Sequence, residues 1–259
     1  MTGESRLAAL ARRDRALTAA GLALVVGLAW LWLARAGGEM DAMAEMGMAR
    51  MAPWTAADAA LAAVMWAVMM TAMMLPAASP MILTFAAMNR TPPGAAAPPH
   101  VGTGLFVLGY LAVWGAFSLA AAGGQWALQA AALLSADTLR AAPLAGASLL
   151  AAAGLYQLTP LKDACLARCR TPLGFLLAEW RPGAAGALVM GLRHGLFCLG
   201  CCWVLMALLF VGGVMNLAWV AALMAFVLLE KLVPAGRVVS RASGVALLAW
   251  AGWLVWGGS

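Results

Sequence analysis

Residues Ala184–Val211 read AAGALVMGLRHGLFCLGCCWVLMALLFV, an apolar run interrupted by one arginine and one histidine. A helix needs about 20 predominantly apolar residues to cross a bilayer, so this run is long enough to span alone. The same character continues outward in both directions. Of 259 residues, 65% are hydrophobic and 10% charged, against about 25% charged in a soluble domain. That composition excludes a soluble globular enzyme, a disordered chain and a small disulfide scaffold. No repeat or heptad pattern is visible, and glycine and proline are dispersed.

Six further runs share this character: Leu17–Leu33, Asp58–Met88, Val101–Ala122, Leu139–Leu158, Met215–Leu229 and Val239–Trp256. After Gly123 and Gly124 the third run continues as a milder stretch to Leu134. The expected fold class is all-α, a polytopic transmembrane helical bundle of about seven spans (six to eight). The first run follows Arg12, Arg13 and Arg15 like a signal peptide, but it is long enough to span and lacks a convincing cleavage site. It is read as an uncleaved helix. Pro76 and Pro80 predict a kink near Leu75, because proline removes an intrahelical donor and crowds the preceding turn.

Lysine and arginine in the connections set orientation, since they are retained on the cytoplasmic side. A cytoplasmic N-terminus places twelve cations inside: Arg6, Arg12, Arg13, Arg15, Arg90, Lys162, Arg168, Arg170, Arg181, Lys231, Arg237 and Arg241. Three lie outside, Arg35, Arg50 and Arg140, while Arg193 falls within a run. The formal charge of +6 is therefore a topology signal, and nucleic acid is not an expected partner. The expected organisation is a basic cytoplasmic N-terminus at 1–16, a first transmembrane helix at 17–33, a Met-rich outer loop at 34–57 and a metal-binding transmembrane helical domain at 58–257.

Pattern alone does not explain the soft donors. At about 100° per residue, Met190, His194, Cys198 and Cys201 share one face of the quoted run, with Cys202 at its edge as a candidate third thiol. Imidazole and soft sulfur favour Cu(I) or Zn over hard cations, and a histidine inside a span is a functional candidate by default. The bland reading makes the cysteines small apolar packers and His194 an interhelical hydrogen-bonding group. Gly191, Gly195 and Gly200 permit close helix approach. The second run carries Met65, Met69 and Met73 as a stripe, with Met70 and Met74 beside it. Thioethers select Cu(I), although methionine also fills irregular apolar gaps.

A second methionine cluster, Met40, Met43, Met46, Met48 and Met51, is interleaved with acidic residues outside the spans. It reads as a loop that captures a soft ion or as an amphipathic interfacial helix. Cys165 and Cys169 are spaced i, i+4 in the inner connection, a weak metal signal alone. Glu230 is expected to pair with Lys231 or with a cation on a neighbouring helix, and Lys162 and Lys231 to snorkel toward the interface.

Trp66-x-x-Met69-Met70-x-x-Met73-Met74-x-Pro76, Tyr156-Gln157-x-Thr159-Pro160-x-Lys162-x-x-Cys165, Cys169-Arg170-x-Pro172, Cys198-x-Gly200-Cys201-Cys202-Trp203-x-x-Met206 and Glu230-Lys231 form a set. Together they resemble a bacterial family of metal-binding integral membrane proteins often labelled copper chaperones, over roughly positions 55–235. The resemblance implies a multi-pass protein of the bacterial inner membrane handling copper. The Met-rich segment lies outside it.

The leading expectation is a non-enzymatic protein that binds Cu(I) and delivers it to a periplasmic or membrane cuproprotein or copper carrier. The candidate ligands are His194, Cys198, Cys201 and Cys202 with Met69, Met73 and Met206; Cys165 and Cys169 in the inner connection and Met43 and Met46 in the outer segment are further candidates. A membrane metal transporter and a thiol-redox membrane protein are the alternatives. Familiar enzyme motifs, including a phosphate-binding glycine loop and His-Glu-x-x-His, are absent from the sequence.

Overall fold

The computed structural model describes residues 3–45, 54–89, 99–135 and 138–257. These residues form ten helices and no strand: α1 (Gly3–Glu45), α2 (Ala56–Met88), α3 (Pro99–Ala130), α4 (Pro143–Gln157), α5 (Pro160–Arg170), α6 (Pro172–Glu179), α7 (Gly183–Ala207), α8 (Leu209–Gly212), α9 (Leu217–Leu232) and α10 (Gly236–Trp256). Five stretches are long and apolar enough to cross a membrane: α1 over Arg13–Glu39, α2, α3, α7 continued through α8, and α10. A sixth arises when α4 and α5, bent by 68° at their junction, count as one broken span. The difference from seven has a geometric reason. The α4 run stops at Gln157, and α9 has only 16 residues, about 24 Å of helix against about 30 Å of hydrocarbon.

Local chemistry fixes the boundaries. The Thr55 side chain accepts from Asp58 N while Asp58 Oδ2 accepts from Thr55 N at 2.9 Å, a capping box that starts α2. The helix runs unbroken through Pro76 and Pro80. Pro80 cannot donate to the Pro76 carbonyl, and the Ser79 hydroxyl does so instead at 2.8 Å. Nor do Gly123 and Gly124 end α3. Beyond them, Gln125 accepts from Trp66 Nε1 at 2.8 Å and Gln129 from Trp54 Nε1 at 3.0 Å, tying the extension to α2 and to the segment that leads into it. In the fourth run Leu139–Ala142 is not helical, and α4 begins at Pro143, where the missing N–H costs nothing.

The first helix departs most from expectation. It continues to Glu45, so residues 34–45 of the anticipated outer loop are helical. Alanine, methionine and glutamate are good helix formers, and no proline interrupts them. Residues 46–53 lie outside the described set.

The helices α3 and α7 pack on each other most extensively, followed by α4 with α10 and α2 with both α1 and α3. Glycine makes the first contact possible. A methyl group on Gly191 would collide with the Phe106 carbonyl, and one on Gly195 would meet Val113 Cγ2 at 2.9 Å. The helix α5 folds back along α7, and Cys165 Sγ lies where a side chain at Gly200 would be, 2.7 Å from that Cβ position. Thus α2, α3, α5 and α9 surround the cysteine-bearing part of α7.

Candidate metal centre

The α7 face anticipated from spacing is buried: Met190, His194, Cys198, Cys201, Cys202 and Met206 all point inward. Cys201 Sγ lies 3.9 Å from Cys169 Sγ on α5. Cys202 Sγ lies 3.9 Å from Met74 Sδ on α2. The Cys201 and Cys202 thiols both donate to the Cys198 carbonyl, at 3.1 and 3.0 Å. Four thiols and a thioether from three helices therefore share one interior region. All five cysteines are free thiols.

Cys198 also has two non-sulfur neighbours. Lys231 Nζ of α9 donates to its sulfur at 2.9 Å, and the Tyr110 hydroxyl of α3 is 3.1 Å away. Tyr110 Oη is also 2.9 Å from the Met74 carbonyl, so one tyrosine bridges α2 and α7. His194 stacks on Tyr110 and Phe106 and meets Phe175 edge-on, with ring centroids 5.5, 6.1 and 5.6 Å away. Among the described residues neither of its buried nitrogens has a hydrogen-bond partner. That overturns the interhelical hydrogen bond of the bland reading. A buried imidazole normally finds a partner, so the orphaned pair is chemically conspicuous.

Beside the sulfurs sits a buried ionic network. Lys162 Nζ donates to Glu230 Oε1 at 3.0 Å and Oε2 at 2.8 Å, and Gln157 Nε2 donates to Oε1 at 2.8 Å. Gln157 Nε2 also reaches Ser243 Oγ at 2.8 Å. Glu230 thus pairs with the neighbouring-helix cation, not with Lys231. Neither lysine snorkels: Lys162 is 0% and Lys231 7% exposed. Interior partners hold both.

The remaining anticipated residues fall into three groups. Cys165 packs against Gly200, while Cys169 joins Cys201. Met69, Met73 and Met206 are fully buried, but on α2 the thioether that meets a thiol is Met74. Met43 falls in the last turns of α1 with its side chain outside the described residues, and Met46 lies outside them altogether. Met74, Tyr110 and Lys231 are the site residues that spacing missed.

The spacing of the sulfurs is that of ordinary contact and equally that of two donors sharing one ion. Two sulfurs bound to one ion at about 2.3 Å, at angles near tetrahedral, stand about 3.8 Å apart. Both sulfur pairs are at 3.9 Å. Among the described residues no group of three or more His, Cys, Asp or Glu side chains is gathered to hold an ion. What is present is a thiol pair and a thiol–thioether pair, a donor set that favours a soft ion.

The described fold is helical, with long apolar stretches and an interior that brings sulfur side chains together. A family model described as PpoB2, copper chaperone, matches residues 63–254, and the chain belongs to that family. Its role is copper-related. No curated protein and no solved structure matches the chain.

Proposed function

We propose that this chain is a multi-pass protein of the bacterial inner membrane that holds Cu(I) in transit and delivers it to a cuproprotein, without catalysing a reaction of its own. The observation that carries this reading is the pair of sulfur contacts across three helices, Cys201 with Cys169 and Cys202 with Met74, on either side of the buried Cys198. Thiolate and thioether donors together prefer Cu(I), while oxygen-seeking cations find no matching set here. His194, with both nitrogens unpartnered, is the reserve donor at the edge of the cluster. Met43 and Met46 gather the ion before it enters, and a periplasmic or membrane cuproprotein or copper carrier receives it.

Membrane insertion is supported by what α1 and α10 present outward. Leu24, Leu28, Trp253 and Trp256 are exposed, an arrangement that suits acyl chains. The N-terminus is cytoplasmic in this reading. Lys162 and Lys231 are buried and carry no topological information, yet ten inner cations remain against three outer ones.

Purified protein titrated with Cu(I) against a competing chelator tests the proposal. Retention by the native chain and loss in a Cys198/Cys201/Cys202 triple serine variant is the expected result. Equal retention in both contradicts it. One observation favours the runner-up, a transporter: the 68° break between α4 and α5 lies beside the buried Lys162–Glu230 pair, and broken helices with interior charge are a transporter device. Copper uptake into proteoliposomes without a recipient protein selects that reading.

A further inference from the structure

Cys201 and Cys202 are adjacent on α7, and successive residues of a helix point about 100° apart. Their sulfurs accordingly reach different helices. Cys201 Sγ meets Cys169 Sγ of α5 at 3.9 Å, and Cys202 Sγ meets Met74 Sδ of α2 at 3.9 Å. Both thiols fold back on the same carbonyl, that of Cys198, and leave it toward opposite partners. Each pair also has its own support. On one side Cys165 Sγ fills the space left by the missing side chain of Gly200, which lets α5 close on α7, and the Lys162–Glu230 pair ties α5 to α9. On the other side the Tyr110 hydroxyl of α3 reaches the Met74 carbonyl at 2.9 Å and holds α2 in register. Removing one pair leaves the support of the other in place.

We propose that the sulfur centre is two separate stations for monovalent soft ions, Cys169–Cys201 between α5 and α7 and Cys202–Met74 between α7 and α2, so that the chain holds two ions at once. The proposal rests on the soft-metal reading of the same centre. Monovalent soft ions accept as few as two sulfur donors, whereas a structural zinc site calls for four ligands. Two-donor pairs are what the interior offers. Among the described residues no three His, Cys, Asp or Glu side chains are gathered to hold an ion, so the side chains do not build one centre of higher coordination. The four paired sulfurs are buried, which keeps each station dry and away from competing oxygen donors.

The test loads the full-length reduced chain in detergent with silver(I), a redox-stable probe, and counts bound ions after gel filtration. Counting is done without and with glutathione, a monothiol that competes away ions held by one protein sulfur but not those held by a preorganised pair. Against glutathione, Cys169→Ser and Met74→Leu should each retain one ion fewer than the native chain, and the double variant two fewer. A single shared centre predicts instead that the second substitution removes nothing more. Circular dichroism reports folding of each variant; where the double variant fails to fold, Cys201→Ser with Met74→Leu removes the same two stations and decides. A double variant that loses no more ions than a single one overturns the proposal while leaving metal binding standing. So does a single variant that keeps the native count or loses two ions. A native chain that binds no silver(I) even without glutathione overturns the soft-metal reading and this proposal with it.

Discussion

Met74 and Met69 occupy the same helix, both fully buried, yet only the first has its sulfur 3.9 Å from a cysteine. Leucine replaces methionine with little change of volume, so either substitution should cost less than about 1.5 kcal/mol of stability. Copper affinity separates them: Met74→Leu should weaken Cu(I) binding about tenfold in a chelator competition, with the loss of one soft donor, and Met69→Leu should not. Equal effects would remove the thioether from the centre. Sequence spacing could not make this choice. It rests on contrast between faces, and Met69, Met70, Met73 and Met74 are all buried. The α7 face was legible because His194 and the cysteines are rare residue types at helical spacing. The Lys231–Cys198 contact was not, because it depends on how α9 approaches α7. At Lys162 the expected cost is larger. Lys162→Met leaves Glu230 buried and unpaired and should destabilise by about 3–5 kcal/mol in denaturation of the detergent-solubilised protein. The double variant Lys162→Met/Glu230→Leu should recover most of that loss.

Helix packing carries the next level, and the α3–α7 contact is its most demanding part. Gly191→Ala drives a methyl group into the Phe106 backbone, which cannot rotate aside, and should lower stability by about 1–3 kcal/mol. Gly21→Ala on α1, with open space around it, should leave the melting temperature unchanged or slightly raised. Similar shifts for the two would remove close approach as the reason for glycine at 191. The existence and type of most elements followed from apolar run length, but two readings needed correction. The helix α1 extends to Glu45 because helix-forming residues outlast the apolar stretch, and hydropathy alone does not register that. The inner connection was expected to carry Cys165 and Cys169 on one face of a short helix, and its lysine to reach the interface. The helix α5 is there and packs on α7 with Cys169 against Cys201, but its lysine is satisfied inside by Glu230. Charge was read as exposure, and buried pairing is the case that reading misses.

For the molecule as a whole, a bundle lined with sulfur between lipid-compatible faces joins fold to copper handling. Topology is part of that account. In the proposed topology α9 crosses together with the six candidate spans, so a cytoplasmic N-terminus puts the C-terminus on the opposite side. A reporter active only in the periplasm, fused after Ser259, should therefore be active; silence there would mean that α9, at 16 residues, does not cross. The most direct measurement is copper K-edge X-ray absorption on Cu(I)-loaded protein. The account expects a first shell made mainly of sulfur, which disappears together with bound copper in the Cys198/Cys201/Cys202 triple serine variant. A shell of only nitrogen and oxygen, or an unchanged sulfur shell in that variant, would contradict it.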